Sequence, residues 1–214
     1  MKDWNSLFVK KEVPFINSFC SEVFYINLLS RGDRRISIET QLEGLNISAS
    51  HIEGEIIKRV PSKCKINMGQ LGCLLSHKKI IQYSYINNLS NICILEDDVV
   101  FKNNFHEDFK RFINMVPNNW DMIYLCGNNF IGLNKINNLV YKTNGTLTTS
   151  SYIIKNTIYK DILNIPDSPI KPIDSYYLDL HKKINAYVAV PSLTYQMAGF
   201  SDIEGKFVNY DFLK

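Results

Sequence analysis

Asn91-Ile92-Cys93-Ile94-Leu95-Glu96-Asp97-Asp98-Val99-Val100-Phe101 is the stretch on which the fold turns. Ile92 to Leu95 is a short continuous apolar run, the composition of a strand buried on both faces. It ends in three consecutive carboxylates, and a second apolar run follows. Acids at the C-terminal end of a buried strand sit where an open α/β sheet presents its ligands. Neighbouring carboxylates repel one another, and a shared cation relieves that repulsion. Alone, an acidic tripeptide reads as a solvated turn. Here the apolar flanks hold the acids at a fixed strand end.

Upstream, Ser21 to Asn27 reads as a first strand, and Gly32-Asp33 marks the turn after it. A helix follows from Arg34 to Leu45, with Ile38, Leu42 and Leu45 on one face. Cations are unfavourable at a helix N-terminus, so Arg31, Arg34 and Arg35 together point to an anion or carboxylate nearby. A short strand falls within Ala49 to Ile57. Met68 opens a helix to about Asn87, whose core face is Leu71, Leu74, Leu75, Ile81 and Tyr85. Gly69 and Gly72 cost that helix about 1 kcal/mol each, a cost tolerated where something must approach the backbone closely. Ser76-His77 lies one turn further on. Without other information, it reads as a packed or solvated pair.

Downstream, Asn103 or Asn104 caps a helix from Phe105 to Met115, with Phe105, Phe109, Phe112 and Val116 as its core stripe. Pro117 breaks it, and Trp120 to Leu125 reads as a buried strand. Leu139–Lys142 and Thr149–Ile154 read as strands joined through Asn144-Gly145, a hairpin signal. A short helix (Thr157 to Ile165), a proline-rich loop to Pro172, a helix from about Ser175 to Ile184 and a strand from Tyr187 to Val190 follow. The tail from Ser192 reads as irregular, with Gln196, Gly199, Ser201 and Asp202 grouped together. Strands alternating with helices predict an α/β fold with a mostly parallel central sheet flanked by helices. The expected division is a lead-in segment over residues 1–20 and one domain over 21–214.

Composition narrows the function. The chain has 214 residues, 45% hydrophobic, enough for one sizeable core. A net charge of +3 without a long Lys/Arg cluster gives no footprint for nucleic acid. No run approaches the roughly 18 apolar residues of a membrane span, so membrane contact is expected to be peripheral. Cys20, Cys64, Cys73, Cys93 and Cys126 include no CxxC pair and read as reduced thiols, which fits a cytoplasmic protein.

Several blocks, in order, resemble glycosyltransferase family 25. They are Val23 to Leu28 followed by Arg31 and Asp33-Arg34-Arg35, then Gly69 to His77, and then Ile94 to Val99 followed by Phe105. Trp120-Asp121 with Tyr124-Leu125, Ser150 to Ile154, and Pro172-Ile173-Asp174 continue the series. The resemblance runs from about Ser21 to about Ile203. It implies a GT-A type nucleotide-sugar-binding fold, a nucleotide-sugar donor and inverting transfer. It also makes the acidic tripeptide a binder of Mn²⁺ or Mg²⁺. Many members carry an acidic residue where Gln70 stands here, which puts any charge-dependent role at that position in doubt.

On that reading, Asp98 is the direct metal ligand, with Glu96 toward the ribose or the metal's water shell. Gln196 and Asp202 are candidates for a further ligand. Alternation along the strand would turn Asp97 away from its two neighbours. The donor, with uridine or another base, is expected near Asn27, Leu28 and Arg31. Arg34 would reach the base or a phosphate, while Ser76 and His77 join Glu96 and Asp97 as donor contacts. Asp174 is the candidate general base, although an Asp at that point is equally a helix N-cap. Asp121 is the second choice. The acceptor would be a hydroxyl of a glycan or of a hydroxylated protein. Competing readings are a catalytically silent carbohydrate- or partner-binding module and a metal-dependent phosphoryl-transfer enzyme or nuclease. The second usually needs acids from several strands around two metals.

Overall fold

Strand β3 (Asn91–Glu96) stands third in an eight-stranded sheet, with described helices packed on both of its faces. The structure is a computed structural model describing residues 13–129 and 131–209. Ahead of β3 come α1 (Phe15–Phe19), β1 (Glu22–Asn27), α2 (Gly32–Gly44), β2 (Ser50–Glu53) and α3 (Met68–Ile86). After it come β4 (Val99–Phe101), α4 (Phe105–Met115), β5 (Met122–Tyr124), β6 (Asn128–Asn129), β7 (Asn134–Lys135), β8 (Val140–Lys142), β9 (Thr146–Leu147) and β10 (Ser151–Lys155). The chain continues through α5 (Tyr159–Leu163), α6 (Ile173–His181), β11 (Ala186–Ala189), β12 (Thr194–Gln196), β13 (Gly199–Ser201) and β14 (Lys206–Val208).

The sheet order is β2-β1-β3-β10-β5-β11-β8-β7. Six strands point one way, while β10 and β8 are reversed, so the sheet is mostly parallel as expected. Helices cover both faces, and the alternation of β3 divides between them. Cys93 and Leu95 join the core with Ile38 of α2 and Phe105, Phe109 and Phe112 of α4. Ile92 and Ile94 join Leu71, Leu74 and Ile80 of α3, Ile162 of α5 and Tyr177 of α6. Each fully buried large side chain contributes about 1.5–3 kcal/mol. Residues 1–12 of the expected lead-in lie outside the described residues, and its described part shares this core: Ile16 is fully buried, and the rings of Phe15 and Phe19 pack on Phe109.

The glycines of α3 meet the close approach that their cost implied. A Cβ on Gly72 would lie 2.4 Å from the carbonyl oxygen of Glu55, and one on Gly69 would lie 2.7 Å from Cα of Ile203. Asn67 and Gln70 close a reciprocal capping box at the start of this helix, which gives Gln70 a structural role.

Three expectations are corrected. The strands on either side of Asn144-Gly145 exist but do not pair as a hairpin. β8 pairs with β11, whereas β10 enters the sheet between β3 and β5. Tyr152, Ile153 and Ile154 are all fully buried, and only a central position covers both faces of such a strand. A local turn closes at Thr143–Thr146 instead, and Thr148, at φ 80°, redirects the chain into β10. Asn104 occupies the N-cap position of α4 without a side-chain hydrogen bond. The tail is also not irregular: β12 pairs with β4, and β13 with β14. Its last residues, 210–214, lie outside the described residues.

Candidate active site

The C-terminal ends of β1 and β3 open into a cavity of about 290 Å³. Asn27, Leu28, Arg34, Ser76, His77, Glu96, Asp97, Asp98, Gln196 and Asp202 all line it. Their elements come from five separate parts of the chain, brought together by parallel pairing of β1 with β3 and by α3 lying across the sheet.

The acidic tripeptide divides at the end of the strand. Glu96 is the last residue of β3, while Asp97 and Asp98 form the turn into β4. Glu96 keeps to the α3 face, where its Oε1 lies 3.3 Å from His77 Nε2 and accepts from Thr149 Oγ1 at 2.6 Å. Asp97 is not turned away from Asp98, because the alternation ends with the strand. Arg34 Nη1 bridges the two, 2.9 Å from Asp97 Oδ1 and 3.1 Å from Asp98 Oδ2. Asn27 Nδ2 donates to Asp97 Oδ2 at 2.7 Å. The carboxylate that Arg34 implied near the start of α2 is therefore this pair.

Burial and the nearby Glu96 charge, against the pull of Arg34, together push the Asp98 carboxyl up to about 7. Burial likewise raises Asp97, against its Asn27 and Arg34 contacts. Burial also works against ionisation of Glu96, but contacts with His77 and Thr149 outweigh it and hold its carboxyl below the usual range.

The tail roofs this cavity. Gln196 Nε2 donates to Asp98 Oδ2 at 3.1 Å, and the Met197 amide donates to the Asp98 carbonyl at 2.8 Å. Asp202 pairs with Arg31, and Arg34 Nη2 donates to the Phe200 carbonyl at 2.8 Å. Arg31 thus reaches the cavity through Asp202. Ser76 is committed to the framework: its hydroxyl accepts from the Glu55 amide at 2.8 Å and donates to the Gly72 carbonyl at 2.7 Å.

Two buried oxygens in this wall, Asp98 Oδ1 and Asn27 Oδ1, have no hydrogen-bond partner. Unpaired buried acceptors beside a cluster of acids fit a hard divalent cation with oxygen ligands. Mn²⁺ or Mg²⁺ therefore suits this donor set. Asp98 would hold the ion through Oδ1, because Gln196 and Arg34 already engage Oδ2.

A second cavity, about 630 Å³, adjoins the first and shares Cys73, Glu96, Gln196, Ser201 and Ile203 with it. Asp174 lines this second cavity. Pro172 holds the N-cap position of α6, and Asp174 lies in its first turn, so Asp174 is not the cap. Its Oδ1 accepts from the Ser175 amide at 2.7 Å, and burial raises its carboxyl above the usual range. Asp121 is not brought to either cavity. It stands before β5 at the opposite end of the sheet, where its oxygens accept from Thr157 Oγ1 at 2.8 Å and the Asn185 amide at 2.9 Å.

Sequence reasoning passed over Thr149 and Cys73. Thr149 carries no local signal, since its partner Glu96 is 53 residues away. Cys73 did have one: it lies four residues before His77 on α3 and so shares its helix face.

A mostly parallel sheet covered by helices, with an acidic turn and two adjoining cavities at its C-terminal edge, is the ligand-binding arrangement of an open α/β fold. The description "Glycosyltransferase family 25 (LPS biosynthesis protein)" matches residues 20–131, and the chain belongs to that family. It is 31% identical over 126 residues to procollagen galactosyltransferase 1 of Danio rerio, covering 49% of this chain and 21% of that protein. It is 30% identical over 126 residues to the inactive glycosyltransferase 25 family member 3 of Mus musculus, with the same coverage. The match thus spans about a fifth of the length of these relatives. Among solved structures, UDP-glucose pyrophosphorylase complexed with UDP-glucose shows a TM-score of 0.47 at 13% identity, covering 78% of this chain and 72% of that one. A glycosyltransferase involved in glycosylation of the major capsid of PBCV-1 shows a TM-score of 0.41 at 8% identity, covering 79% and 92%.

Proposed function

We propose that the chain transfers a hexose, with inversion, from a nucleotide-diphosphate sugar, most simply a UDP-sugar, to a hydroxyl of a glycan or hydroxylated protein. The observation that carries this reading is the unpartnered, buried Asp98 Oδ1 in the wall of the smaller cavity. A divalent cation held there would supply Lewis-acid stabilisation of the departing diphosphate. The donor occupies the smaller cavity, with its nucleoside toward Asn27 and Leu28 at the end of β1. Arg34 offsets the charge of Asp97 and Asp98, so the wall tolerates both carboxylates close to an anionic donor.

The acceptor lies in the larger cavity. Asp174 takes the proton from the acceptor hydroxyl as its oxygen bonds to the anomeric carbon and the bond from that carbon to the diphosphate breaks. A carboxyl raised by burial is a better base than an exposed one, and Asp174 has that environment. The five free cysteines favour a reducing, cytoplasmic setting; no described helix is long and apolar enough to cross a membrane.

The test is transfer from a panel of UDP-hexoses with Mn²⁺ present and removed. Turnover is expected only with the metal, to be abolished by Asp98→Ala, and to fall about 10²–10⁴-fold in Asp174→Asn while donor binding persists. The naming of one relative as inactive favours a second reading, a binding module on the same fold. Stabilisation by donor without turnover would establish that module in place of the enzyme.

A further inference from the structure

We propose that Cys73, His77 and Glu96 form a zinc site at the passage between the two cavities, distinct in chemistry from the all-oxygen site at Asp98. One ligand atom from each of the three lies within 4.8 Å of the others. Cys73 and His77 are one helical turn apart on α3, and Glu96 faces them from the end of β3. Sulfur, imidazole nitrogen and carboxylate oxygen together are donors that zinc favours, whereas Mn²⁺ and Mg²⁺ favour oxygen alone.

The surroundings orient these donors. His77 Nδ1 is 2.7 Å from the Tyr152 hydroxyl, which is 3.1 Å from the Tyr177 hydroxyl, and all three residues are buried. That contact fixes the imidazole and turns Nε2 toward Glu96, the role an outer-shell partner plays for a metal-bound histidine. Thr149 Oγ1 holds the Glu96 carboxylate in the same way. A His–Glu hydrogen bond alone would account for His77 and Glu96, but it has no need of a thiol. Among the described residues, the hydrogen-bond contact of Cys73 Sγ is a weak one to Thr149 Oγ1 at 4.0 Å.

Three protein ligands leave a fourth position for water. Cys73 and Glu96 line both cavities, so that position is reachable from solvent. On binding, the Cys73 thiol proton passes to solvent and a zinc–sulfur bond forms, with no change of oxidation state. Zinc there draws Glu96 away from the donor and stands between the cavities. It therefore inhibits transfer even with saturating Mn²⁺, a consequence that rests on the function proposed above.

The test titrates cobalt(II), a spectroscopic stand-in for zinc, into the metal-free full chain. A thiolate-to-cobalt charge-transfer band with four-coordinate visible bands is expected, displaced by one equivalent of zinc. It should vanish in Cys73→Ser and persist in Cys64→Ser, and Tyr152→Phe should weaken zinc binding about tenfold. Absence of the band in the wild-type chain, or its survival in Cys73→Ser, overturns the site. Should Cys73→Ser fail to fold, alkylation of Cys73 in the wild-type chain decides. Protection by zinc supports the site, and unchanged labelling overturns it. A chain that shows the band but, stripped of cobalt and zinc and supplied with Mn²⁺, still transfers no sugar keeps the zinc site and overturns the transferase reading.

Discussion

Gln196 Nε2 donates to Asp98 Oδ2 at 3.1 Å, joining side chains 98 residues apart in the chain. The bond exists because β12 lies antiparallel on β4, with Gln196 opposite Val99. It fixes the carboxylate so that Oδ1 is the oxygen left for a ligand. Gln196→Ala should therefore keep the fold but weaken Mn²⁺ binding roughly 10- to 100-fold, as loss of an outer-shell partner does. Calorimetric titration of Mn²⁺ into both proteins checks this. Equal affinities would mean that Gln196 has no hold on the ligand.

Acidity supplies a separate prediction. Asp98 titrates near 7 in the folded chain, against an ordinary value of 3.8. Between those values the native metal-free protein holds a proton that the unfolded chain has released, so its stability falls as pH rises through that window. Asp98→Asn should flatten that fall. If the proposed metal site is right, Mn²⁺ competes with the same proton, and its affinity should drop about tenfold for each pH unit below about 7 and level off above it. Urea melts and metal titrations at several pH values measure both trends.

His181 gives the opposite slope. Burial pulls its imidazole down to about 4, and Nε2 is held by the Tyr124 hydroxyl at 2.9 Å. Below about 6.5 the unfolded chain binds a proton that the native histidine refuses, so stability is lost as pH falls from there to about 4. The contribution is a few kcal/mol at most, at roughly 1.4 kcal/mol per unit. His181→Gln, which retains a polar partner for Tyr124, should reduce acid sensitivity in that range. An unchanged acid limb would assign the effect to other groups.

Two glycine substitutions should differ in sign. At Gly72 a Cβ would meet the Glu55 carbonyl oxygen at 2.4 Å, a backbone atom that yields only if the β2–α3 connection shifts. Gly72→Ala should cost about 1–3 kcal/mol. At Gly44, the last residue of α2, nothing lies within 4 Å. Gly44→Ala should be neutral or stabilise by up to about 1 kcal/mol through helix propensity. Chemical denaturation of both variants tests the contrast.

Much of this molecule was written locally. Ile92 to Leu95 is apolar at every position because β3 is covered on both faces, and the three acids that follow mark where the sheet ends. The arginines at the start of α2 announced a carboxylate partner, and the glycines of α3 announced a close approach, because each carries a local cost that needs a compensating neighbour. Pairings between distant segments were not legible. Asn144-Gly145 signalled a turn, but burial on both faces of β10 sent that strand to the sheet centre, away from β8. The position of Gln196 over Asp98, of Thr149 beside Glu96 and of Asp121 at the far end of the sheet likewise followed from strand order. Local sequence sets what a residue can do and which way its element faces. Which partner it meets depends on how separate elements satisfy their exposed apolar faces and backbone hydrogen bonds together, a condition imposed only by the whole packed chain.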